Sequence, residues 1–297
     1  MQRELDGRVV LLTGATDGVG RAAATEFAAR GASVTIVGRN AAKTRQTAET
    51  IRSGTGNPAV DYLIADLSTL FGMRAVAAGF RARRDRLDIL VNNAGAMFQR
   101  PMTTVDGLER TFALNYLAYF VLSTELSDLL RETPGARVVN TASSSHKLGR
   151  LDLETVATRS PAPGFVAGFR AYCDSKLAGV VFTRELAARL PGVPVNCHHP
   201  GYTRGGFFSH TTGFWSHVVN NRPSRLVARP PERTSDTLLW LATDEAARAY
   251  SGEYFVKRAV AGRTSRDPDL GPRLWELSER LTAEPPGRGK VAHGPAT

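Results

Sequence analysis

Residues 9–20 have the sequence VVLLTGATDGVG and lie close to the start of the chain. The first four are apolar, as in a short strand that is buried in a sheet, and a glycine-rich turn follows them. Residues 21–30 continue with alanine-rich content and helical spacing, and Gly31 stands where a helix C-cap is expected. The stretch therefore predicts a buried strand, a tight turn and a helix.

The turn has the spacing Gly-x3-Gly-x-Gly, a relative of the dinucleotide-binding fingerprint. Glycines let the backbone turn tightly and approach a pyrophosphate, which then lies on the N-terminus of the next helix. A plain tight turn is the alternative, but the position between a strand and a helix favours a nucleotide site. The residues expected to bind the cofactor here are Thr13, Gly14, Thr16, Asp17, Gly18, Val19 and Gly20.

Strand-like runs alternate with helix-like segments along most of the chain. Further strands are predicted at residues 33–37, 60–64, 87–91, 137–141, 193–198 and 253–256. Helices are predicted at residues 41–52, 68–83, about 108–130, from near Tyr172 to Leu190, and 232–243. This alternation is typical of an α/β protein with a Rossmann-type doubly wound parallel sheet. Because one sheet accounts for most of the chain, a single domain over residues 1–284 is expected.

Three segments lie outside this alternation. Residues 151–168 and 202–231 are long connections, and loops of such length in a compact domain are usually functional lids or disordered. The second contains Phe207, Phe208, Phe214 and Trp215, which either line an apolar substrate pocket or hold the loop down. We favour lids for both, and predict that residues 285–297 form a disordered tail.

Composition excludes several classes of protein. The chain has 297 residues with 42% hydrophobic content, which suits a globular protein with a sizeable core. No apolar run predicts a membrane span, and the N-terminus lacks the apolar region of a signal peptide. The two cysteines, Cys173 and Cys197, are too few for a disulfide framework. We expect a cytoplasmic protein, and the arginine- and alanine-rich composition is typical of high-GC bacteria.

The formal net charge is +10, which raises the question of an anionic partner. The densest basic cluster, residues 81–86, is short, contains Asp85 and lacks interleaved aromatic residues, so nucleic-acid binding is not expected. The charge favours an anionic cofactor instead. No metal is expected either, because the histidines lack ligand spacing and supporting cysteines or carboxylates. They include His146, His198, His199, His210 and His217.

The second strand ends in the sequence VGRN, residues 37–40, where an acidic residue would bind the ribose 2′-hydroxyl of NAD. No acid is present, and Arg39, followed by Asn40, offers a planar cation suited to a 2′-phosphate. We therefore predict NADP(H), with Lys43 one turn further on as a second cation. Asp66, followed by Leu67 at the end of the third strand, is expected at the adenine, as the N-cap of the next helix, or in both roles.

Tyr172 and Lys176 lie four residues apart in a helix-like run, so their side chains share one face. An ammonium group beside a phenol favours the phenolate, so we expect a lowered pKa for Tyr172 and a role as general acid or base. Alone, this spacing occurs by chance in many chains. Its meaning depends on the other motifs.

Taken together and in this order, the motifs resemble those of the short-chain dehydrogenase/reductase superfamily, over about residues 7–281. They are the glycine turn, Asn92-Asn93-Ala94-Gly95, Asn115, the serines 143–145, Tyr172-x3-Lys176 and Pro200-Gly201. The sequences AYCDSKLA at 171–178, FTREL at 182–186 and LWELSE at 274–279 are similar to the retinol-dehydrogenase-like branch.

The resemblance implies roles for individual residues. Tyr172 would be the catalytic acid or base, and Lys176 would lower its pKa and bind the nicotinamide ribose. Asn115 would hold a water that relays protons from Lys176. Ser143, with Ser144 as the second choice, would bind the substrate carbonyl.

The remaining cofactor contacts follow in the same way. Asn93, Ala94 and Gly95 would line the adenine-ribose side and stabilise the central strand, and Pro200, Gly201 and Thr203 would face the nicotinamide. The family often has a threonine four residues after this last glycine, and here Gly205 takes its place. Thr203 or Arg204 would then substitute, or the cofactor would be held less tightly.

The resemblance implies an NADPH-dependent carbonyl reductase or alcohol dehydrogenase acting on an apolar ketone, aldehyde or alcohol. A second hypothesis is a non-redox dehydration or cyclisation on the same scaffold, and a third is a nucleotide-binding regulatory protein. Because relatives include dimers and tetramers, a homo-oligomer is an open alternative.

Overall fold

The computed structural model describes residues 3–99, 102–159, 164–201, 230–262 and 267–283. Its centre is a single eight-stranded sheet with the order β3-β2-β1-β4-β5-β6-β7-β8. Neighbouring strands are parallel except for β8, which is antiparallel to β7. The strands are β1 Val9–Thr13, β2 Ser33–Gly38, β3 Val60–Ile64, β4 Ile89–Asn92, β5 Arg137–Thr141, β6 Val195–His199, β7 Tyr254–Val256 and β8 Ala259–Val260. The predicted α/β fold with a doubly wound sheet is confirmed.

Helices cover both faces of the sheet. They are α1 Gly18–Ala29, α2 Ala41–Thr55, α3 Leu70–Arg81, α4 Arg110–Phe112, α5 Ala118–Glu125, α6 Ser127–Glu132, α7 Phe165–Arg189, α8 Pro231–Thr234, α9 Asp236–Thr243 and α10 Leu270–Thr282. A π-helical turn, Ala113–Leu117, joins α4 to α5, and short 3-10 helices occur at Ser144–Leu148 and Glu245–Ala249. No helix in the described ranges has the length and apolar character needed to cross a membrane.

The central strands are apolar on both faces because helices bury both faces. In β1, Val9 and Leu11 pack into one core cluster, while Val10 and Leu12 pack into a second. The sheet thus separates two cores. The strand order reverses between the neighbouring strands β1 and β4, and ligands in folds of this kind bind outside the carboxyl ends of the strands at such a point.

Helix α7 differs from its prediction. Helix α7 begins at Phe165, so Tyr172 lies two turns inside the helix and not near its start, and the last four residues of the predicted insertion 151–168 are helical. The first turn fits closely against the loop after β4, because a Cβ on Gly168 would lie 2.2 Å from the carbonyl oxygen of Phe98. This glycine therefore lets the helix extend toward that loop.

The hairpin of β7 and β8 was not predicted. Its turn contains Lys257 and Arg258, which have φ angles of 50° and 62°. Hairpin turns with two positive φ angles usually carry Asn-Gly or Asp-Gly, so this sequence gives no such signal.

The C-terminal helix α10 covers the pair formed by α5 and α7. Trp275 packs against Phe120 of α5 and Phe182 of α7, with ring centres 4.9 Å and 6.1 Å away. The Tyr116 and Ser278 hydroxyls lie 2.5 Å apart and are buried. Helix α10 therefore completes the outer side of α7.

Candidate active site

The glycine turn packs directly on the end of β4. Gly14 has a φ of 67°, and a Cβ there would lie 2.7 Å from the Ala94 Cα. A Cβ on Gly20 would lie 2.4 Å from the Gly14 carbonyl oxygen and 2.5 Å from Asn93 Nδ2. These two glycines are needed for the close approach of backbone to backbone. Two of the predicted motifs thus form one structural unit.

Hydrogen bonds from Thr13 and Asn93 hold this unit together. Asn93 Nδ2 donates to the carbonyl oxygens of Thr13 at 3.0 Å and Gly14 at 3.2 Å. The Thr13 hydroxyl accepts from the amides of Asn93 at 2.9 Å and Ala94 at 3.0 Å. Both side chains therefore build the turn, and direct contacts of theirs with a cofactor remain predictions.

Open space lies over the next glycine of the turn. Gly18 begins α1 with a φ of 49°, and no atom lies within 4 Å of the position of an added Cβ. Asp17 caps this helix by accepting from the Gly18 amide at 2.7 Å. Open space at a helix N-terminus fits an anionic group bound by backbone amides. The described residues therefore fit a dinucleotide, with Thr16 and Val19 on either side of Asp17 and Gly18.

Arg39 and Asp66 lie close together at the ends of β2 and β3. Arg39 is exposed directly after β2. Desolvation opposes ionisation of Asp66, but hydrogen bonds from Ser68 and the charges of Arg39 and Arg110 dominate, so the pKa of Asp66 is lowered. Asp66 is therefore a carboxylate at neutral pH beside a cation that could bind a phosphate.

The capping predictions at this end need correction. Asp66 accepts from the amide and hydroxyl of Ser68 at 3.0 Å and 2.7 Å, while Thr69 is the N-cap of α3. The alternative of Asp66 as the N-cap is wrong, because the helix begins two residues later than that prediction assumed. Asn40 is itself the N-cap of α2, accepting from the Lys43 amide at 2.9 Å. Its predicted contact with the cofactor remains a prediction.

Ser143 and Tyr172 form the centre of the candidate site. Their side chains are hydrogen-bonded to each other and are 8% and 6% exposed. Ser143 follows the end of β5 by two residues, and Tyr172 reaches it from α7. Ser144, the second choice, is exposed. The geometry therefore favours Ser143 as the partner of the tyrosine.

Lys176 lies one turn along α7 and is buried. Its Nζ donates to the carbonyl oxygen of Thr141 at 2.7 Å and lies 5.9 Å from the centre of the Tyr172 ring. It is also 5.6 Å from the ring of Tyr119. The ammonium group is therefore fixed at the carboxyl end of β5, on the same side as the tyrosine.

The expected lowering of the pKa of Tyr172 is wrong. Burial raises the pKa of Tyr172 well above its usual value, and the hydrogen bond with Ser143 offsets only part of this effect. Burial also lowers the pKa of Lys176 to about 7. Both shifts arise because a buried site disfavours the charged form. Tyr172 therefore keeps its proton at neutral pH and is suited to act as an acid.

Asn115 lies in the π-helical turn that interrupts the predicted helix 108–130. Such turns occur frequently at functional sites. Its Nδ2 donates to the Ala96 carbonyl and the Ser175 hydroxyl, each at 3.0 Å, and its Oδ1 accepts from the Ala96 amide at 2.9 Å. The Ser175 hydroxyl donates in turn to the carbonyl of Tyr172 at 2.8 Å. Asn115 thus connects the loop after β4 to helix α7.

One further acceptor position remains on Asn115 Oδ1. A Cβ on Gly95 would lie 3.2 Å from this oxygen and 3.4 Å from Lys176 Nζ. Both atoms therefore border the same small space, as the predicted water relay requires. The water itself remains a prediction.

Sequence reasoning missed several contributors to the site. A sequence signal for Ser175 existed, because this residue lies within the Tyr172–Lys176 motif and is buried. Tyr119, one turn after Asn115, donates to the carbonyl of Ala94 at 2.9 Å. Nothing in its local sequence indicates this contact, because its partner belongs to another element. His146 and Tyr254 also lie close to the site, and only the fold brings them there.

The structure describes only part of the segment that was predicted to face the nicotinamide. Pro200 and Gly201 follow β6 at the carboxyl edge, and Gly201 has a φ of 90° with no atom near an added Cβ. Thr203 lies outside the described residues, as do Arg204, Gly205 and most of the second predicted lid. The predicted tail at 285–297 lies outside them as well.

Comparison with known sequences gives a consistent result. The family model described as short chain dehydrogenase matches residues 8–212. Retinol dehydrogenase 12 of Homo sapiens is 37% identical over 282 residues, which cover 94% of this chain and 87% of that protein. Retinol dehydrogenase 13 of Homo sapiens is 35% identical over 294 residues, covering 93% of this chain and 85% of that protein.

Comparison with solved structures agrees with the sequence matches. A Shigella flexneri protein complexed with NADP has a TM-score of 0.66 and 30% identity, covering 86% of this chain and 98% of that chain. An Escherichia coli protein complexed with NADPH has a TM-score of 0.67, also with 30% identity and the same coverage of 86% and 98%. A Mycobacterium paratuberculosis protein has a TM-score of 0.73 and 29% identity, covering 95% of each chain.

Proposed function

This chain belongs to the short-chain dehydrogenase/reductase family, in its retinol-dehydrogenase-like branch, and we propose that it is an NADP(H)-dependent oxidoreductase of apolar ketones, aldehydes or alcohols. Membership of the family makes it a dehydrogenase or reductase that uses a nicotinamide cofactor. The observation that carries the proposal is the hydrogen bond between buried Ser143 and Tyr172 at the carboxyl edge of the sheet. Two hydroxyls held together there suit a carbonyl oxygen between them.

Arg39 supports NADP(H) as the cofactor. The residue is exposed at the end of β2, and no described acidic side chain takes the position that would bind a ribose hydroxyl. A guanidinium group binds a phosphate through two hydrogen bonds, whereas a hydroxyl gains little from it. Solved neighbours complexed with NADP and NADPH agree with this choice.

Exposed apolar side chains on the 3-10 helix after Ser143 and on α7 support an apolar substrate. Leu148, at the end of the 3-10 helix after Ser143, is 67% exposed, and Val166 in the first turn of α7 is 77% exposed. Phe165 and Phe169 stack on the same helix, with ring centres 6.0 Å apart. Similar relatives are named after retinol, an apolar alcohol. We therefore place retinol-like alcohols and aldehydes first among the candidates.

The mechanism assigns each side chain a task. The nicotinamide cofactor, when bound, supplies or accepts the hydride. Ser143 and Tyr172 donate hydrogen bonds to the carbonyl oxygen, and Tyr172 transfers its proton as negative charge develops there. Its raised pKa ensures that this proton is present at neutral pH. Lys176 and Asn115 border the space through which the tyrosine would recover a proton.

The test follows the absorbance of the reduced nicotinamide. Purified protein is mixed with NADPH and a panel of retinal, other apolar aldehydes, ketones and quinones, with Tyr172→Phe measured in parallel. We expect absorbance to fall with the wild type alone, and retinol with NADP to give the reverse reaction. A product that requires Tyr172 without any net change in cofactor would contradict the proposal and indicate the non-redox alternative.

A further inference from the structure

His146 is a buried side chain that the proposed mechanism does not use. It is 1% exposed and lies in the 3-10 helix Ser144–Leu148, three residues after Ser143. Its Nδ1 lies 2.5 Å from the carbonyl oxygen of Ser143, and its backbone amide donates to the same oxygen at 3.1 Å. Because a carbonyl oxygen only accepts, Nδ1 carries the proton, and this tautomer leaves Nε2 without one.

These bonds fix a residue whose conformation matters for the reaction. Ser143 is extended, with φ −155° and ψ 150°, and caps the 3-10 helix by accepting from the Ser145 amide at 3.2 Å. The same hydroxyl is hydrogen-bonded to Tyr172. A short 3-10 helix has weak hydrogen-bond geometry of its own. The bond from the imidazole therefore adds a constraint that the backbone turn does not supply.

The His146 ring also packs against a residue of β7. His146 meets Tyr254 of β7 edge to face, with ring centres 4.5 Å apart, and Tyr254 is 3% exposed. His146 Nε2 and the Tyr254 hydroxyl find no hydrogen-bond partner among the described residues. Burial, together with the charge of Lys147, lowers the pKa of His146 despite the bond to Ser143. His199 of β6 is close enough to interact electrostatically with His146. The imidazole is thus neutral and locked in one orientation.

We propose that His146 is a positioning residue, whose neutral imidazole holds Ser143 so that the serine hydroxyl stays beside Tyr172. The inference rests on the proposed function, since it needs Ser143 to act on the substrate. His146 contacts the carbonyl oxygen of Ser143 through Nδ1 and the ring of Tyr254 through its own ring. Its effect reaches the reaction through the backbone of Ser143.

Three substitutions separate this role from simple packing. The amide nitrogen of His146→Asn takes the place of Nδ1, whereas that of His146→Gln takes the place of Nε2, and His146→Leu keeps volume alone. We expect the Leu and Gln variants to lose at least about 10-fold in kcat, because a displacement of about 1 Å at a reacting group can cost about 10²-fold. His146→Asn should stay within about 3-fold of the wild type, since the donor to Ser143 is retained.

A double-mutant cycle gives the decisive readout. If His146 acts through Ser143, adding His146→Leu to Ser143→Ala should lower kcat by no more than about 2-fold further, because coupled residues are not additive. The KM for NADPH should not change in any variant. Lys147→Ala, at the exposed neighbour, is the matched control and should behave as the wild type.

Several outcomes would overturn the inference. Losses that multiply in the double variant would show that His146 acts independently of Ser143, and wild-type kcat in His146→Leu would show no role. If the Leu variant does not fold, equal kcat values for the Asn and Gln variants would show that the hydrogen bond from Nδ1 has no role. A wild type that is inactive with every carbonyl compound would instead count against the proposed function.

Discussion

The carboxyl edge of the sheet is built by different means at its two ends. Around the glycine turn, backbone groups pack against backbone, and the side chains of Thr13 and Asn93 satisfy the local amides and carbonyls. Around Ser143, buried titratable side chains meet, and His146 Nε2, His198 Nδ1 and the Tyr254 hydroxyl have no hydrogen-bond partner among the described residues. Around the glycine turn, Thr13 and Asn93 satisfy the local amides and carbonyls. Around Ser143, some buried polar atoms form no hydrogen bond with the described residues and so do not serve to hold the fold together.

This difference separates cofactor binding, at the glycine turn, from proton transfer, at Ser143 and Tyr172. A cofactor of constant shape can be bound by a rigid backbone frame. Proton transfer requires side chains whose pKa values are shifted, and burial provides such shifts. We therefore expect substitutions at the first end to act on cofactor affinity and stability, and substitutions at the second end to act on turnover.

The largest expected effect lies at the catalytic end. Tyr172→Phe should lower kcat by at least about 10²-fold, the usual contribution of a positioned general acid. The affinity for NADPH should change little, because only a hydroxyl is removed. Turnover and fluorescence titration of NADPH measure the two quantities. Near-normal turnover would remove Tyr172 from the reaction.

The next effect concerns the glycine turn. A Cβ on Gly20 would lie 2.4 Å from the Gly14 carbonyl oxygen, which cannot move without opening the turn. Gly20→Ala should destabilise the fold by about 1–3 kcal/mol, as overpacking does, and should weaken NADPH binding. Thermal unfolding with and without NADPH measures both changes.

The matched control is Gly54→Ala in helix α2, where no atom lies within 4 Å of an added Cβ. This variant should unfold at the same or a higher temperature, because alanine favours a helix by about 1 kcal/mol over glycine. An equal loss of stability in both variants would mean that the contact with Gly14 is unimportant.

A smaller effect is expected from Arg39. Arg39→Ala should weaken NADPH binding by about 10-fold or more and leave NADH binding unchanged, since a hydrogen bond to a charged group contributes about 1.5–3 kcal/mol. Arg45→Ala is the control: Arg45 lies on α2 and donates to the Tyr62 hydroxyl at 3.2 Å. The dissociation constants of NADPH and NADH measure this effect. An equal loss of affinity for NADH in Arg39→Ala would exclude recognition of the 2′-phosphate by Arg39.

The smallest effect is a dependence of stability on pH. Because burial lowers the pKa of Lys176 from 10.5 to about 7, the unfolded chain binds more protons than the folded chain above pH 7. The free energy of unfolding should therefore rise with pH from about 7 toward 8, before the cysteines of the unfolded chain, with an ordinary pKa of about 8.5, begin to ionise. The Tm measured over this range should rise less in Lys176→Met, and identical slopes would contradict the assignment.

Sequence patterns predicted the frame better than the catalytic edge. The order of strands and helices follows from apolar periodicity and from glycines such as Gly14, which are local signals. The β7–β8 hairpin escaped prediction because Lys257 and Arg258 adopt a turn usually made by other residues. The extra turns of α7 before Tyr172 escaped it too, since Gly168 faces the Phe98 carbonyl only in the folded chain.

The candidate site shows the same division. Tyr172 and Lys176 were found through their spacing and Ser143 through the family resemblance, and the structure brings the three side chains together. The direction of the pKa shift of Tyr172 was wrong because spacing along a helix contains no information about burial. Tyr119 and His146 were missed since their partners come from other elements of the chain.

The cover that α10 provides for α5 and α7 also has a consequence for synthesis. Trp275 joins Phe120 and Phe182 only after more than 90 further residues have followed Phe182 along the chain. During translation, the apolar outer side of α7 therefore stays uncovered until α10 has left the ribosome. A chain that stops before residue 270 would leave this apolar surface exposed, and exposed apolar surface favours aggregation.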